Sequence, residues 1–489
     1  MGQRLTVIFT FIISGLLLFG FISCRKKDKT DSSPEIRLSF STDTVFFDTV
    51  FPTVGSVTKR LIVYNTHDSK ILISAIRLMG GQSSSYRINV DGEPVSNITD
   101  VELPANDSLY LFIRVTVDPN QENTPFIVTD SIEFQTNGNL QKIRLVSWGQ
   151  NALFYRKALI TGNAIWDSLK AHVIYGSLRI DTNATLTILP GTKVYFHNNA
   201  YLAASFHSTL KVLGERSHPV SFQGDRLDYF YKDLPGQWYG IILEHAGINH
   251  EINDAIIKNG VFGLAVDTPE DQNNVMLLLN NTIIQNMTSY GIFAYGASIH
   301  SINCVVGNCG GRALNFEYGG NYDFRQLTVG NYWYSSVRLS PSVYLSNYSY
   351  DTTGQKITNP LSPAFFGNVI LYGSNEEEIV LDSVAAVPFE VTFDHGLLKT
   401  RLNTSNTSRF IECQINKDPK FLNGPEMDYQ IDSLSPAIGK GIPMGVWYDI
   451  KGIERGDHPD LGAYQFLPLA ISLGRPSLLY RYRPANQLR

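Results

Sequence analysis

The chain has 489 residues, 43 % hydrophobic and 17 % charged, with 40 basic and 45 acidic side chains and a formal net charge of −5. That balance excludes a disordered chain and a coiled coil, and it lacks the basic excess of a polyanion binder, so no nucleic-acid partner is expected. Aromatic residues reach 12 % and sit among 39 glycines, a composition of strands and turns rather than of helical bundles.

The N-terminus has one early charge, Arg4, then an uncharged run from Leu5 to Ser23, then Cys24 followed by Arg25, Lys26 and Lys27. Such a run could just span a bilayer as an anchor helix, with the basic cluster marking the cytoplasmic side. A secretory signal fits better. Phe21-Ile22-Ser23-Cys24 resembles a bacterial lipobox, with Phe21 in place of the usual Leu. The resemblance implies that residues 1–23 are removed, that Cys24 is lipidated, and that the acyl chains hold the protein on a membrane. Residues 24–35 are charged, small and turn-forming and read as a tether. Arg25-Lys26-Lys27 is basic where surface-bound lipoproteins of this kind carry acids, so the surface and periplasmic faces of an outer membrane both stay open. Beyond Cys24 only Cys304, Cys309 and Cys413 remain. Three is an odd number for a disulfide framework, and a C-x4-C pair without partners is not a metal site, so buried apolar thiols are expected.

Residues 36–150 carry short runs of β-branched and aromatic residues, such as Arg60–Tyr64, Leu109–Ile113 and Ser131–Phe134, separated by turn signals including Asp91-Gly92 and Asn137-Gly138. Seven or so strands at this spacing predict a β-sandwich. The strand order resembles immunoglobulin-like domains of the ASH and major-sperm-protein group, which implies a spacing or binding module rather than a catalytic one.

From residue 158 to 466 the texture changes. The segments closing at Asn259, Asn286, Asn308 and Asn331 repeat after 27, 22 and 23 residues, a period too long for a hairpin and suited to one coil of a solenoid. A second strand follows each asparagine, as in Gly263–Val266, Gly291–Ala294 and Ala313–Phe316. Stacked parallel coils place like residues above like, and interior asparagines then bond one another's amides. The repeat, with an opening "LTILPGTKVYF" at 186–196, resembles right-handed parallel β-helices of the pectate-lyase kind. About eleven coils and a rod on the order of 50 Å follow from the rung spacing. The expected fold is therefore all-β: an N-terminal Ig-like β-sandwich followed by a right-handed parallel β-helix, a single-stranded solenoid.

Asp418-Pro419-Lys420-Phe421, Ser435-Pro436-Ala437-Ile438-Gly439, Asp449-Ile450-Lys451-Gly452 and Asp460-Leu461-Gly462-Ala463-Tyr464 follow in order. They resemble the closing segment of secreted β-helix proteins, with Gln465 where Glu is usual. Aspartates and glycines there predict tight turns that cap the last sheet edge. Residues 467–489 hold four Arg and no acid and read as a basic tail.

Lyases on this fold hold Ca²⁺ with clustered aspartates, and hydrolases use paired carboxylates. The chain has no adjacent Asp-Asp pair and no Arg-x-Pro-x-x-Arg string, so no catalytic residue, cofactor or metal is assigned. Arg312, Glu317, Asp323 and the Asp394-His395 pair read as solvated strand ends, and Glu376-Glu377-Glu378 as a solvated face. Glu244-His245 and His250-Glu251 lack metal-ligand spacing. The loop GDRLDYFYKDLPGQWYG (224–240) sets Asp225, Asp228 and Asp233 among Tyr229, Tyr231, Trp238 and Tyr239. Aromatic faces flanked by carboxylates suit sugars, and loops on a rigid scaffold carry function. The alternative is that these aromatics cover a domain seam. Two functions of different class result: a non-enzymatic envelope lipoprotein, resembling those of Bacteroidota-type bacteria, that binds polysaccharide or an envelope protein; or a polysaccharide lyase or glycoside hydrolase with a cleft along the parallel sheet.

Overall fold

The computed structural model describes residues 30–51, 55–118, 126–228, 230–247, 249–271 and 274–468. The lipobox and Cys24, Tyr229, and the tail beyond Pro468 lie outside the described residues. Two compact units divide at Gln150/Asn151.

The first unit is a β-sandwich of two five-stranded sheets. One runs in the order Ser39–Phe40, Lys59–Tyr64, Ser108–Val115, Tyr86–Val90, Glu93–Val95; the other Thr44–Val50, Asn139–Gly149, Phe126–Thr136, Ile71–Leu78, Asn97–Leu103. Ser108–Val115 alternates buried and outward residues along its length, the period-two signature of a sheet with one wet face. Leu61, Leu111, Ile113, Phe134 and Tyr86 fill the space between the sheets. Thr44–Val50 pairs in parallel with Asn139–Gly149, and the short strands at 39–40, 93–95 and 97–103 raise the count from about seven to ten.

The second unit is a parallel β-helix whose first strand, Ala152–Ile160, begins earlier than residue 158. Each coil has three strands rather than the two that the sequence suggested. One complete coil is Leu277–Asn280, Ile283–Met287 and Tyr290–Tyr295, and the next is Ser298–Ile302, Val305–Cys309 and Leu314–Glu317. Like strands stack into three parallel faces. The first face holds ten strands from Asn163–Trp166 to Phe410–Ile411. Inward positions build one continuous core, with Phe324, Phe366, Phe393 and Phe410 in register and their rings 5.2 to 5.6 Å apart.

Asparagines hold the turns. Between second and third faces, Asn286 Nδ2 donates to Asn259 Oδ1 at 2.7 Å and Asn308 Nδ2 to Asn286 Oδ1 at 2.9 Å. All three have positive φ (66°, 64° and 50°), a conformation asparagine tolerates better than most side chains. Asn331 leaves this stack, its Oδ1 accepting the Cys309 N–H at 2.8 Å. A second stack that the repeat did not announce lies between first and second faces, where Asn303 Nδ2 donates to Asn281 Oδ1 at 3.2 Å and Asn281 Nδ2 to Asp254 at 3.4 Å. Cys304 and Cys309 are buried, and burial pushes their thiols up to about 11 and about 12.

The closing segment is not confined to the last sheet edge. It folds back along the second face, whose outward row Ile283, Val305, Thr328, Ile370, Leu397 is largely apolar. Tyr429, Ile450 and Ala463 cover Val305, while Ile431, Ala437 and Leu461 cover Ile370 and Leu397. The Tyr429 ring lies over Gly307 and Gly330, where an added Cβ would come within 2.4 and 2.3 Å of it. Asp449 Oδ1 accepts the N–H groups of Lys451 and Ile453, and Asp460 those of Gly439 and Phe466, so these aspartates fix turns as expected. Gln465 Oε1 accepts from Asp460 N and Arg455 Nη1.

Glu378 corrects the reading of residues 376–378 as a solvated face. It is fully buried and pairs bidentately with buried Arg338, at 2.6 and 2.9 Å, while also accepting from Ser342 N, Ser342 Oγ and Asn375 N. Arg338 thereby pins the 332–341 loop, leaving its neighbours Val337 and Leu339 84 % and 90 % exposed.

Candidate functional site: a groove on the first face

The outward row of the first face runs from Lys211 through Glu251, Leu278, His300 and Asp323 to Phe365, one residue per rung. On one margin, residues 269–271 and 274–276, with Lys211, Glu251 and Leu278 as floor, line a cavity of about 690 Å³ whose walls include Pro269, Glu270, Asp271 and Asn274. On the opposite margin runs residues 444–450: Arg325 Nη1 donates to the Met444 carbonyl at 3.1 Å, Asn303 Nδ2 to Tyr448 at 2.6 Å, and Arg216 Nε to Ile450 at 3.3 Å. Each donor ends or follows a first-face strand, so the segment lies along the strand ends. It carries Trp447, 70 % exposed.

The cavity brings three carboxylates, Glu251, Glu270 and Asp271, to one lysine, Lys211. Glu251 accepts from Asn253 Nδ2 and Glu270 faces His207 Nε2 at 2.9 Å. Further along, Arg325 grips Asp323 with two bonds of 3.0 and 2.8 Å. Glu251 and Asp323 are three rungs apart, about 14 Å at the usual strand spacing, beyond the separations of a two-carboxylate glycosidase. Glu251 and the loop acids line the same cavity. Beneath its edge, His250 is wholly buried; Nδ1 accepts the Leu210 N–H at 3.0 Å and Nε2 has no partner. A Cβ at Gly247 would lie 2.2 Å from that nitrogen, so the turn over the ring requires glycine. Among the described residues no three His, Cys, Asp or Glu side chains gather as a metal-binding group. Glu244 pairs with Arg179 at 2.7 Å, His245 bonds the Thr268 carbonyl, and both diverge from His250.

The 224–240 loop lies elsewhere and divides by role. Asp225 is held by His197 Nδ1 at 2.8 Å, and burial raises its pKa. His197 stacks on Tyr175, and Arg156 lies over Tyr175 at 4.4 Å, so four consecutive rungs carry Arg, Tyr, His and Asp in one column. That column was invisible before the register was known. Asp228 is buried at a turn, its carbonyl accepting from Tyr231 and Lys232. Tyr231 lies under Arg226 at 3.3 Å, and Asp233 pairs with Lys258 at 3.4 Å while its carbonyl accepts from Asn286.

Trp238 is a core residue, not the ligand contact that the sequence suggested. It is 0 % exposed, stacks on Phe196 at 4.1 Å and 12°, and donates Nε1–H to the Lys258 carbonyl at 2.9 Å. It packs within the solenoid itself. Trp238→Phe keeps a stack but strands that carbonyl and leaves a void, so a loss of about 1–3 kcal/mol is expected; chemical unfolding with an unchanged m-value measures it. Tyr239, next in sequence, points outward on the third face, 46 % exposed, with its ring edge-on to Phe262 at 4.9 Å.

No family model matches the chain, and no curated protein does. Among solved structures, a family 87 α-1,3-glucanase catalytic unit from Streptomyces thermodiastaticus aligns at 11 % identity over 69 % of this chain and 79 % of that one, with a TM-score of 0.26. A family 123 glycoside hydrolase from Clostridium perfringens aligns at 11 % identity and TM-score 0.17 over 24 % of this chain, which spans 26 % of that protein's length. A human ASH/PapD-like domain aligns at 11 % identity and TM-score 0.17 over 26 % of this chain and 91 % of its own. At such scores the functional reading rests on the chain's own geometry.

Proposed function

We propose that the protein is an envelope lipoprotein, anchored through Cys24, whose β-helix engages a polysaccharide chain in the first-face groove. The single observation that carries the reading is the 690 Å³ cavity, floored by Lys211, Glu251 and Leu278 and walled by Pro269 and Asn274. Polar groups on a rigid floor with an apolar flank suit a hydroxylated polymer that must be oriented. The second reading, hydrolysis in the same cavity, is favoured by Glu251 and Asp271 lining one space, since a glycosidase needs two carboxyl groups about the scissile bond.

Both are tested with the full chain in detergent and a panel of neutral and acidic polysaccharides. Affinity electrophoresis is expected to show retardation by at least one polymer, weakened about tenfold or more by Lys211→Ala with Glu251→Ala, equivalent to about 1.4 kcal/mol. No retardation, or equal retardation of the variant, overturns the groove reading. New reducing ends that vanish in Glu251→Gln move the function to hydrolysis. Lipidation is read separately: a clickable fatty acid should label the protein in cells and not its Cys24→Ala variant.

A further inference from the structure

The third face differs from the other two in what it turns outward. Tyr239 and Tyr290 lie along one edge on either side of the largely buried Phe262, the register partner of Tyr290. Beside them Phe293, Asn315 and Tyr344 share one outward row, and Tyr295, Glu317, Ser346 and Asp382 form the next. Tyr295 stacks on Tyr318 at 4.8 Å and 15°.

The acids between these rings are fixed by neighbours. Asp382 Oδ2 accepts from both Tyr344 and Tyr348, at 3.0 and 2.7 Å. Glu317 Oε1 accepts from Asn315 Nδ2 at 3.0 Å, with Arg312 at 3.8 Å and the same Arg312 lying over the Tyr344 ring at 4.1 Å. In each carboxylate one oxygen takes these bonds. The other, Asp382 Oδ1 and Glu317 Oε2, has no protein partner among the described residues. Two pre-aimed acceptors therefore stand two rungs apart, about 10 Å at strand spacing, amid outward aromatic rings.

We infer that the third face is a second ligand surface, separate from the first-face groove, and that it takes an extended neutral polysaccharide. Rings at rung intervals offer stacking faces to successive sugar units, and a carboxylate oxygen with free lone pairs accepts a sugar hydroxyl. Glu317 and Asp382 lie on these rows, with Arg312 engaged between Glu317 and the Tyr344 ring, so an anionic polymer meets carboxylates there. The core of a protein interface is depleted of Asp and Glu, whereas Glu317 and Asp382 stand among these rings.

Hydroxyl-radical footprinting of the unmodified full chain tests this without a variant. Laminarin, xylan, dextran and polygalacturonate are added in turn, with Tyr110 in the sandwich as an unprotected control. At least one neutral polymer should lower the oxidation of Tyr239, Tyr290 and Phe293 about threefold or more, and polygalacturonate should not. Tyr290→Ala, checked for an unchanged melting temperature, should then weaken retardation by that polymer at least fivefold even when Lys211 and Glu251 are already replaced. Protection by polygalacturonate alone, by none of the four, or only at the first-face groove overturns the inference. Loss of binding in the groove variant with intact third-face protection leaves this inference standing and locates the failure elsewhere.

Discussion

Acidification from pH 7 to pH 5 is expected to lower the melting temperature of the solenoid through two neutral histidines. His172 and His250 are both buried, and burial lowers each from an ordinary 6.5 to about 4. His172 is stacked on Trp166 at 4.1 Å, with Nδ1 facing Tyr155 Oη and Nε2 facing the Asp167 carbonyl. His250 accepts from Leu210 and lies under Gly247. Between these values the unfolded chain binds the proton and the folded chain refuses it, so stability is fully present above pH 6.5 and falls as pH drops toward 4. The interval is worth about 3 kcal/mol per imidazole. Asp225, Asp254 and Asp460 carry the opposite sign, since burial raises their pKa values and acid then favours the fold through them. Melting curves at half-unit steps from pH 7 to 5, run on the parent and on histidine variants, separate the two contributions. His172→Phe and His250→Leu should each flatten the slope by about half, and a slope equal to that of the parent would refute the assignment.

Breaking the Arg338–Glu378 pair is expected to cost about 3–5 kcal/mol, because either partner alone leaves an uncompensated buried charge. Glu378 is the harder to replace, since it also takes three bonds from Ser342 and Asn375, and Glu378→Gln keeps its shape while stranding Arg338. Arg338→Met exposes the converse. Joining Arg338→Met to Glu378→Gln should recover part of the loss, so a double-mutant cycle in urea gives a positive coupling. Additive single effects would show that the ion pair is incidental to the loop's anchorage. Proteolysis of the 332–341 loop gives a second readout, since losing the pair should speed cleavage there more than global unfolding does.

The fold was legible because period and chemistry coincide at Asn259, Asn286 and Asn308, where a turn needs positive φ and a stack needs an amide. First-face strands such as His250–Asn253 and Gly320–Arg325 escaped notice because their outward residues are polar and of mixed type, and they resemble loops when read singly. Burial of Trp238 and Glu378 depends on partners 42 and 40 positions away, Phe196 and Arg338, so local composition pointed to solvent. The groove depends on the register between Lys211, Glu251 and Leu278, and the third-face rows on the register from Tyr239 to Asp382. Neither spacing is fixed in sequence, since the loops between coils vary in length while the rungs do not.

The closing segment laid along the second face makes the order of synthesis matter. Coils of a solenoid can stack as they emerge, each on the last, yet the apolar row from Ile283 to Leu397 is covered in large part by residues 421–466. Until those residues have been made, the early coils present a sticky flank to whatever surrounds them. A chain stopped short of Tyr429 would thus leave that flank bare, with Gly307 and Gly330 open where the ring would pack.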